Sequence, residues 1–331
     1  MLYVEIPSAV RPLPFYLAAE EYVAAKGSRG EEYFFMWQVE PTVICGRNQV
    51  IEKEVNLSFC RSHGVDVCRR RSGGGAVVAD RNNIMFSFIS LRDSGDVSVT
   101  FSHYTSAVAG FLKSLGLSAG VDGRNDILVD GLKVSGYSFY RKPGADIIHG
   151  TLLWDMDPVL MSGVLTPSRS KLASSGVKSV ESRVTVLRPR LPHLDIEEFM
   201  RLARRSLCGT GSVVLSGSAI REIETSLMPP YLEKSWLGRI SDRVRSSRRI
   251  AGAGEFDAVV VCRGGVIADV SLSGDFFLCG DLDALLSRLR GVECTASAIR
   301  ESLRDIDVSS VIMNLSTTDF IRMLTENHNI K

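Results

Sequence analysis

Residues 69–80, Arg-Arg-Arg-Ser-Gly-Gly-Gly-Ala-Val-Val-Ala-Asp, restrict the fold of this chain more than any other stretch. Three consecutive glycines (Gly73, Gly74, Gly75) inside ordered structure mean that the backbone takes φ > 0 or admits something at very close range. Amide groups without side chains in the way form a nest suited to an anion. Arg69, Arg70 and Arg71 bring guanidinium charge to the same place, and that group is matched to carboxylate and phosphate. The stretch is therefore read as an anion seat, with a flexible turn beside a solvated basic patch as the weaker alternative.

With 331 residues, the chain exceeds what a single core usually serves, and two domains are expected. Hydrophobic residues at 45% and charged residues at 23% fit an ordinary soluble protein. The amino-terminal residues lack a secretory pattern, and no apolar run approaches the ~20 residues that cross a bilayer. A cytoplasmic location without membrane contact is expected. The seven cysteines are scattered and odd in number, which argues for reduced thiols over a disulfide framework or zinc site. Residues 255–331 hold 12 Asp and Glu against 7 Lys and Arg, a charge of −5 that leaves +6 on the rest. Between them, residues 239–249 carry five arginines, followed by Ala251-Gly-Ala-Gly254. No aromatic side chains are interleaved for base stacking, so this is read as a solvated connection and not a nucleic-acid site. The expected division is 1–245, a linker at 246–254, and a small unit at 255–331.

Periodicity predicts strands at 31–37, 41–45, 65–67, 76–78 and 84–90, then a helix over 97–115. Asp130-Gly131 between 126–129 and 132–135 is a two-residue hairpin signal, repeated by Arg263-Gly-Gly265 between 256–261 and 266–272. Helical runs at 281–289 and 295–303 complete an α+β pattern in both parts. Lys133, just past the first hairpin turn, offers a compact charge suited to a developing negative charge. Asn125 and Asp126 supply oxygens of the kind that hold Mg²⁺. His149-Gly150 follows after a polar loop. Singly, each has a bland reading: a solvated strand lysine, turn chemistry, a structural histidine.

In order along the chain, Arg70-Arg71-Ser72-Gly-Gly-Gly-Ala76, Gly123-Arg-Asn-Asp126, Lys133-Val-Ser-Gly136 and His149-Gly-Thr-Leu-Leu153 form a set that resembles the lipoate–protein ligase A family. Ala19-Glu20-Glu21, Cys45-Gly-Arg-Asn-Gln49 and Lys178-Ser-Val-Glu-Ser-Arg-Val-Thr185 fit the same pattern. Residues 256–277 resemble the C-terminal accessory domain of the long ligases. The resemblance implies a biotin/lipoate ligase-like mixed-sheet catalytic domain with a small α+β accessory domain. It implies that lipoate or octanoate is activated by ATP, with Mg²⁺, to an acyl-AMP. The acyl group then passes to a lysine of acceptor lipoyl domains, in 2-oxoacid dehydrogenase acyltransferase subunits and the glycine cleavage H protein. A monomer is expected.

By the same resemblance, Arg71, Ala76, Val77, Val78, Ala79 and Asn125 would contact the nucleotide. Trp37, Arg70, Ser72, Gly73, Gly74, Gly75, Ser135, Gly136, His149 and Gly150 would line the lipoate pocket. Lys133 would bridge both substrates as the catalytic cation, and Asp126 would hold the metal. Two positions depart from the family pattern: Val78 and Ala79 replace an aromatic residue and a histidine. The arginine expected after Ser135-Gly136 is displaced to Arg141. The competing readings are an octanoyl or lipoyl transferase of the same fold, which passes the acyl group through a cysteine, and a non-enzymatic lipoate-binding protein. A biotin ligase is disfavoured because Ser-Gly-Gly-Gly stands in place of its glycine–arginine signature.

Overall fold

The computed structural model describes residues 1–7, 10–92, 97–122, 125–166, 184–238 and 247–325. Among the described residues eleven strands precede residue 215: β1 (Leu2–Glu5), β2 (Glu32–Trp37), β3 (Thr42–Cys45), β4 (Asp66–Arg69), β5 (Val77–Ala79), β6 (Asn83–Ser90), β7 (Ala119–Asp122), β8 (Asp126–Val129), β9 (Leu132–Lys142), β10 (Ala145–Leu153) and β11 (Ser212–Val214). Eight form one mixed sheet in the order β11-β1-β2-β6-β10-β9-β8-β7, with the pairs of β1 parallel and the others antiparallel.

The run Glu-Tyr-Phe-Phe-Met-Trp in β2 is buried throughout because the sheet is covered on both faces. Successive side chains alternate between the covers. Phe35 and Trp37 join a core built on helix α1 (Leu13–Lys26), whereas Phe34 and Met36 join Phe88 and Tyr104 beneath helix α2 (Val97–Ser114). Phe199 from helix α3 (Ile196–Cys208) packs into that second core. Asp130 and Gly131 take φ of 52° and 78°, so the β8–β9 turn has the left-handed pair its sequence predicts.

Strands β4-β3-β5 make a small separate sheet. The arginine–glycine stretch runs from the end of β4 to the start of β5, so both its ends are fixed by pairing to β3.

The C-terminal part has its own sheet, β12 (Ser247–Ile250), β13 (Gly254–Arg263) and β14 (Val266–Phe276), in sequential order. Its core gathers Phe256, Phe276, Leu285, Ile299 and Phe320. The predicted helices appear as Leu282–Ser287 and Ala296–Ser302, capped by the side chains of Asp281 and Thr295. Two expectations are corrected. Residues 247–250, assigned to a connection, are an edge strand, and the small residues after them form the turn into β13, with Gly252 at φ 78°. The seven cysteines are not all thiols: Cys262 and Cys294 form a disulfide across 32 positions. Scattered spacing missed it because the backbone bridge between Val266 and Glu293 brings the two sites together only in the folded sheet.

Candidate active site

A cavity of about 350 Å³ opens between the large sheet, the arginine–glycine loop and the tip of β14. Its apolar lining is Leu17, Trp37, Ile44, Val77 and Met85, and its polar lining includes Asn125, Asp126, Lys133, Ser138 and His149. Asp275 and Phe277 reach in from the C-terminal part.

The glycines are explained by approach of protein backbone. A Cβ on Gly73 would sit 2.1 Å from the Phe276 carbonyl oxygen, and one on Gly46 would sit 2.0 Å from that of Gly74. Gly74, at φ 87°, donates its N–H to Phe276 O at 2.9 Å. The Gly274 N–H reaches back to Asn48 O at 2.8 Å, and Arg47 pairs with Asp283 at 3.0 Å. The amide of Gly74, expected as part of an anion nest, is thus engaged by the C-terminal strand.

The three arginines are also committed to protein partners. Arg69 is fully buried and donates to the carbonyls of Gly46, Arg47, Gln49 and Leu237. Arg70 donates to Ile44 O, Gly73 O, Gly75 O and Ser72 Oγ. Burial pulls its pKa down to about 10, which leaves it charged at neutral pH. Arg71 points elsewhere: its Nε lies 2.5 Å from Glu21, and its guanidinium stacks over Tyr231 and Trp236. Lys142 shares Glu21 at 2.5 Å. Burial would raise the Glu21 pKa, but hydrogen bonds from Lys142 and Tyr231 and the charges of Arg71 and Lys142 outweigh it and hold the carboxyl below its usual range.

A second buried network lies behind the loop. Glu20 accepts from His149 Nδ1 at 2.9 Å and from Ser87 Oγ at 2.6 Å, and Trp37 Nε1 donates to Ser87 at 3.1 Å. On the other side of the imidazole, Nε2 lies 2.6 Å from Ser72 Oγ.

Lys133 projects from β9 and pairs with Asp126 Oδ1 of β8 at 2.8 Å. Gly136 leaves room for it, since a Cβ there would lie 3.0 Å from both Cε and Nζ. Asn125 Nδ2 donates to Tyr137 O at 2.9 Å, which fixes the turn before Asp126. After residue 183 the chain returns to pair with this strand, Thr185 N–H donating to Lys133 O at 2.8 Å. Asp126 is thereby engaged by a cation. Among the described residues no group of three or more His, Cys, Asp or Glu side chains is placed to hold a metal ion, and Asp126 is the carboxylate of this set beside the cavity.

Of the residues expected at the site, Trp37, Arg70, Gly74, Gly75, Ala76, Val77, Asn125, Asp126, Lys133, Gly136, His149 and Gly150 line the cavity. Arg71, Ser72, Gly73, Val78, Ala79 and Ser135 fall outside its lining. Val78 packs under the small sheet and Ala79 into the α1 core, on opposite faces of β5. Arg141 is taken by Asp146 at 2.6 Å. Gly123, Arg124 and residues 178–183 lie outside the described residues. Glu20, Glu21, Tyr231, Asp275 and Phe277 were given no role by sequence reasoning. The pair Glu20-Glu21 carried a signal, two carboxylates in a helix whose residues 13–21 are all buried. Asp275 and Phe277 carried none, because their place depends on how the C-terminal part docks.

No described cysteine lines the cavity. Burial pushes the Cys45 and Cys68 thiols up to about 12. These are poor settings for a thioester nucleophile.

Residues 12–207 match the lipoyl protein ligase A/B catalytic domain, and residues 243–324 match the bacterial lipoate protein ligase C-terminus. The chain is 31% identical to the probable lipoate-protein ligase A of Mycoplasma pneumoniae, over 91% of each. It is also 31% identical to the lipoate-protein ligase LplJ of Bacillus subtilis, over 93% of this chain and 95% of that one. In fold it is similar to P. falciparum LipL1, solved with lipoate (TM-score 0.78, 17% identity, 98% of each chain). It is similar as well to an archaeal bi-partite lipoate protein ligase solved with its E2 lipoyl domain from Thermoplasma acidophilum (TM-score 0.64, 23% identity, 74% of this chain and 100% of that one). A cavity with an apolar and a cationic lining, walled partly by the C-terminal part, thus sits in a sequence related over most of its length to lipoate-protein ligases, and the chain belongs to the lipoate–protein ligase family.

Proposed function

We propose that this protein activates lipoate with ATP and transfers the lipoyl group to a lysine of an acceptor lipoyl domain. The observation that carries this reading is the cavity lining itself. Apolar side chains including Trp37 suit the dithiolane and alkyl chain, and Lys133 suits the carboxylate where it meets phosphate. In the first step a lipoate carboxylate oxygen forms a bond to the α-phosphorus, the bond to the β-phosphate oxygen breaks, and pyrophosphate leaves. Lys133 stabilises the negative charge that builds on those oxygens. Asn125, Ala76 and Val77 seat the nucleotide, and Arg71, Val78 and Ala79 act on it only through the loop. In the second step a neutral acceptor amine attacks the acyl carbon, the bond to AMP breaks, and the new amide nitrogen loses a proton.

Neither step needs a protein nucleophile, in keeping with the absence of a described cysteine from the cavity lining. Mg²⁺ is taken to arrive with ATP, held by phosphate oxygens and water. The acceptors are the lipoyl domains of 2-oxoacid dehydrogenase acyltransferase subunits and the H protein. The Thermoplasma ligase solved with its E2 lipoyl domain supports that class. The enzyme is read as a cytoplasmic monomer with a catalytic domain followed by an accessory domain that takes in β12 together with the residues from 255 onward. Among the described residues no helix is long and apolar enough to cross a membrane. Lipoate-dependent exchange of pyrophosphate into ATP tests the reading. Folded protein that gives no exchange with lipoate or octanoate in the presence of Mg²⁺ overturns it.

A further inference from the structure

The buried side chains behind the glycine loop have a self-consistent proton assignment in which every donor points the same way. Glu20, fully buried, acts as an acceptor toward both Ser87 and His149, so His149 Nδ1 carries a proton. At the other end Arg70 Nε can only donate, and it lies 2.9 Å from Ser72 Oγ. That hydroxyl then has its own hydrogen to give, and His149 Nε2 stands 2.6 Å away. Every donor therefore points the same way, from the Arg70 guanidinium through Ser72 and His149 to the Glu20 carboxylate. The two buried charges are connected through neutral links among side chains that are almost wholly buried, where such chains reinforce one another.

The same Arg70 fixes the loop, because its Nη2 holds the carbonyls of both Gly73 and Gly75 at 2.7 and 2.8 Å. Ser138 adds a third tie, to Gly73 O at 2.7 Å. We propose that His149 is a positioning residue whose neutral Nδ1–H tautomer, set by Glu20, aims Ser72 and Arg70 and thereby holds the glycine loop in its reactive shape over the cavity. The charged and titratable groups around this imidazole are Glu20 on α1, Arg70 on the loop and Tyr140 on β9, whose hydroxyl is 3.5 Å from Glu20. Lys133, Asp126 and Asp275 face the same cavity.

The inference rests on the ligase reading for its kinetic consequence but not for its tautomer. Nitrogen-15 NMR of histidine-labelled full-length protein at pH 8 reads the tautomer directly, the resonance being assigned by its change in Ser72→Ala. The expected signal is Nδ1 protonated and Nε2 bare; an Nε2–H tautomer overturns the proposal. Kinetically, Ser72→Ala and His149→Asn are each expected to lower lipoate-dependent exchange by up to about 10²-fold, the scale of a 1 Å misplacement. The double variant is expected to lose no more than the worse single variant. Multiplicative losses overturn the proposal. Glu20→Gln, close in shape, replaces His149→Asn in the cycle with the same criteria if the latter does not fold. A wild type that shows the expected tautomer and no exchange refutes the ligase reading and leaves the relay standing.

Discussion

Gly73→Ala is the sharpest perturbation the structure offers. The new Cβ would lie 2.1 Å from the Phe276 carbonyl oxygen and 3.1 Å from Phe277 Cα. Both are backbone, so no side chain can swing aside, and about 1 Å of separation between loop and strand is needed before ordinary contact returns. That shift breaks the Gly74 N–H bond to Phe276 O, now 2.9 Å. Overpacking of this kind costs about 1–3 kcal/mol, and the lost hydrogen bond adds about 1 kcal/mol. It also draws Asp275 and Phe277 out of the cavity wall. A displacement of that size at a reacting centre costs about 10²-fold in rate. Gly75→Ala is the control, since its Cβ would meet only the Asp275 carboxylate, at 3.1 Å, and that side chain can rotate. Pyrophosphate exchange and thermal unfolding on both variants provide the assay. Exchange by Gly73→Ala within twofold of wild type, or equal damage from Gly75→Ala, would refute the reasoning.

Lys133→Ala should reduce adenylation by ~10²–10³ with little change in thermal stability, because the charge is partly exposed and its pair with Asp126 contributes little; an unchanged exchange rate contradicts its role. Glu21→Gln should destabilise the fold by about 2 kcal/mol at pH 7, less than a fully buried pair would, because Arg71 and Lys142 keep about a third of their exposure. The folded-state pKa of Glu21 is depressed, so its contribution is present above the unfolded carboxylate value near 4.3 and is lost as pH falls through the lower folded value. Urea unfolding of both proteins at pH 7 and pH 3 checks this, the gap between them being expected to shrink at pH 3. Finally, denatured protein kept from reductant should titrate five thiols, and seven would remove the Cys262–Cys294 bond.

Local chemistry made much of the site legible. The hairpin turns at Asp130-Gly131 and Gly264-Gly265 declare themselves, because few residues accept φ > 0 and those positions carry them. The placement of Lys133 just beyond one such turn follows from the turn itself. The run Glu32–Trp37 is a strand buried on both faces, as its composition requires. What each polar group does was not legible in the same way. Three adjacent arginines look equivalent in sequence, yet each takes a different set of partners, because successive positions at a strand end face different neighbours.

The glycine triplet shows the division most clearly. The sequence alone pointed to a backbone at Gly73–Gly75 that takes φ > 0 or admits something at close range, since the absence of Cβ there is a local property. Only the tertiary structure decided that a strand more than two hundred residues later would do so, through Phe276. Likewise Glu20 and Glu21 were visible in the sequence as an adjacent pair, but the helix that carries them and their division between His149 and Arg71 were settled by the fold. Buried carboxylates must be paired, and the available partners come from β10 and from the loop after β4. Distance along the chain carries no information about such pairings. They exist because two separate elements were brought to the same dry place.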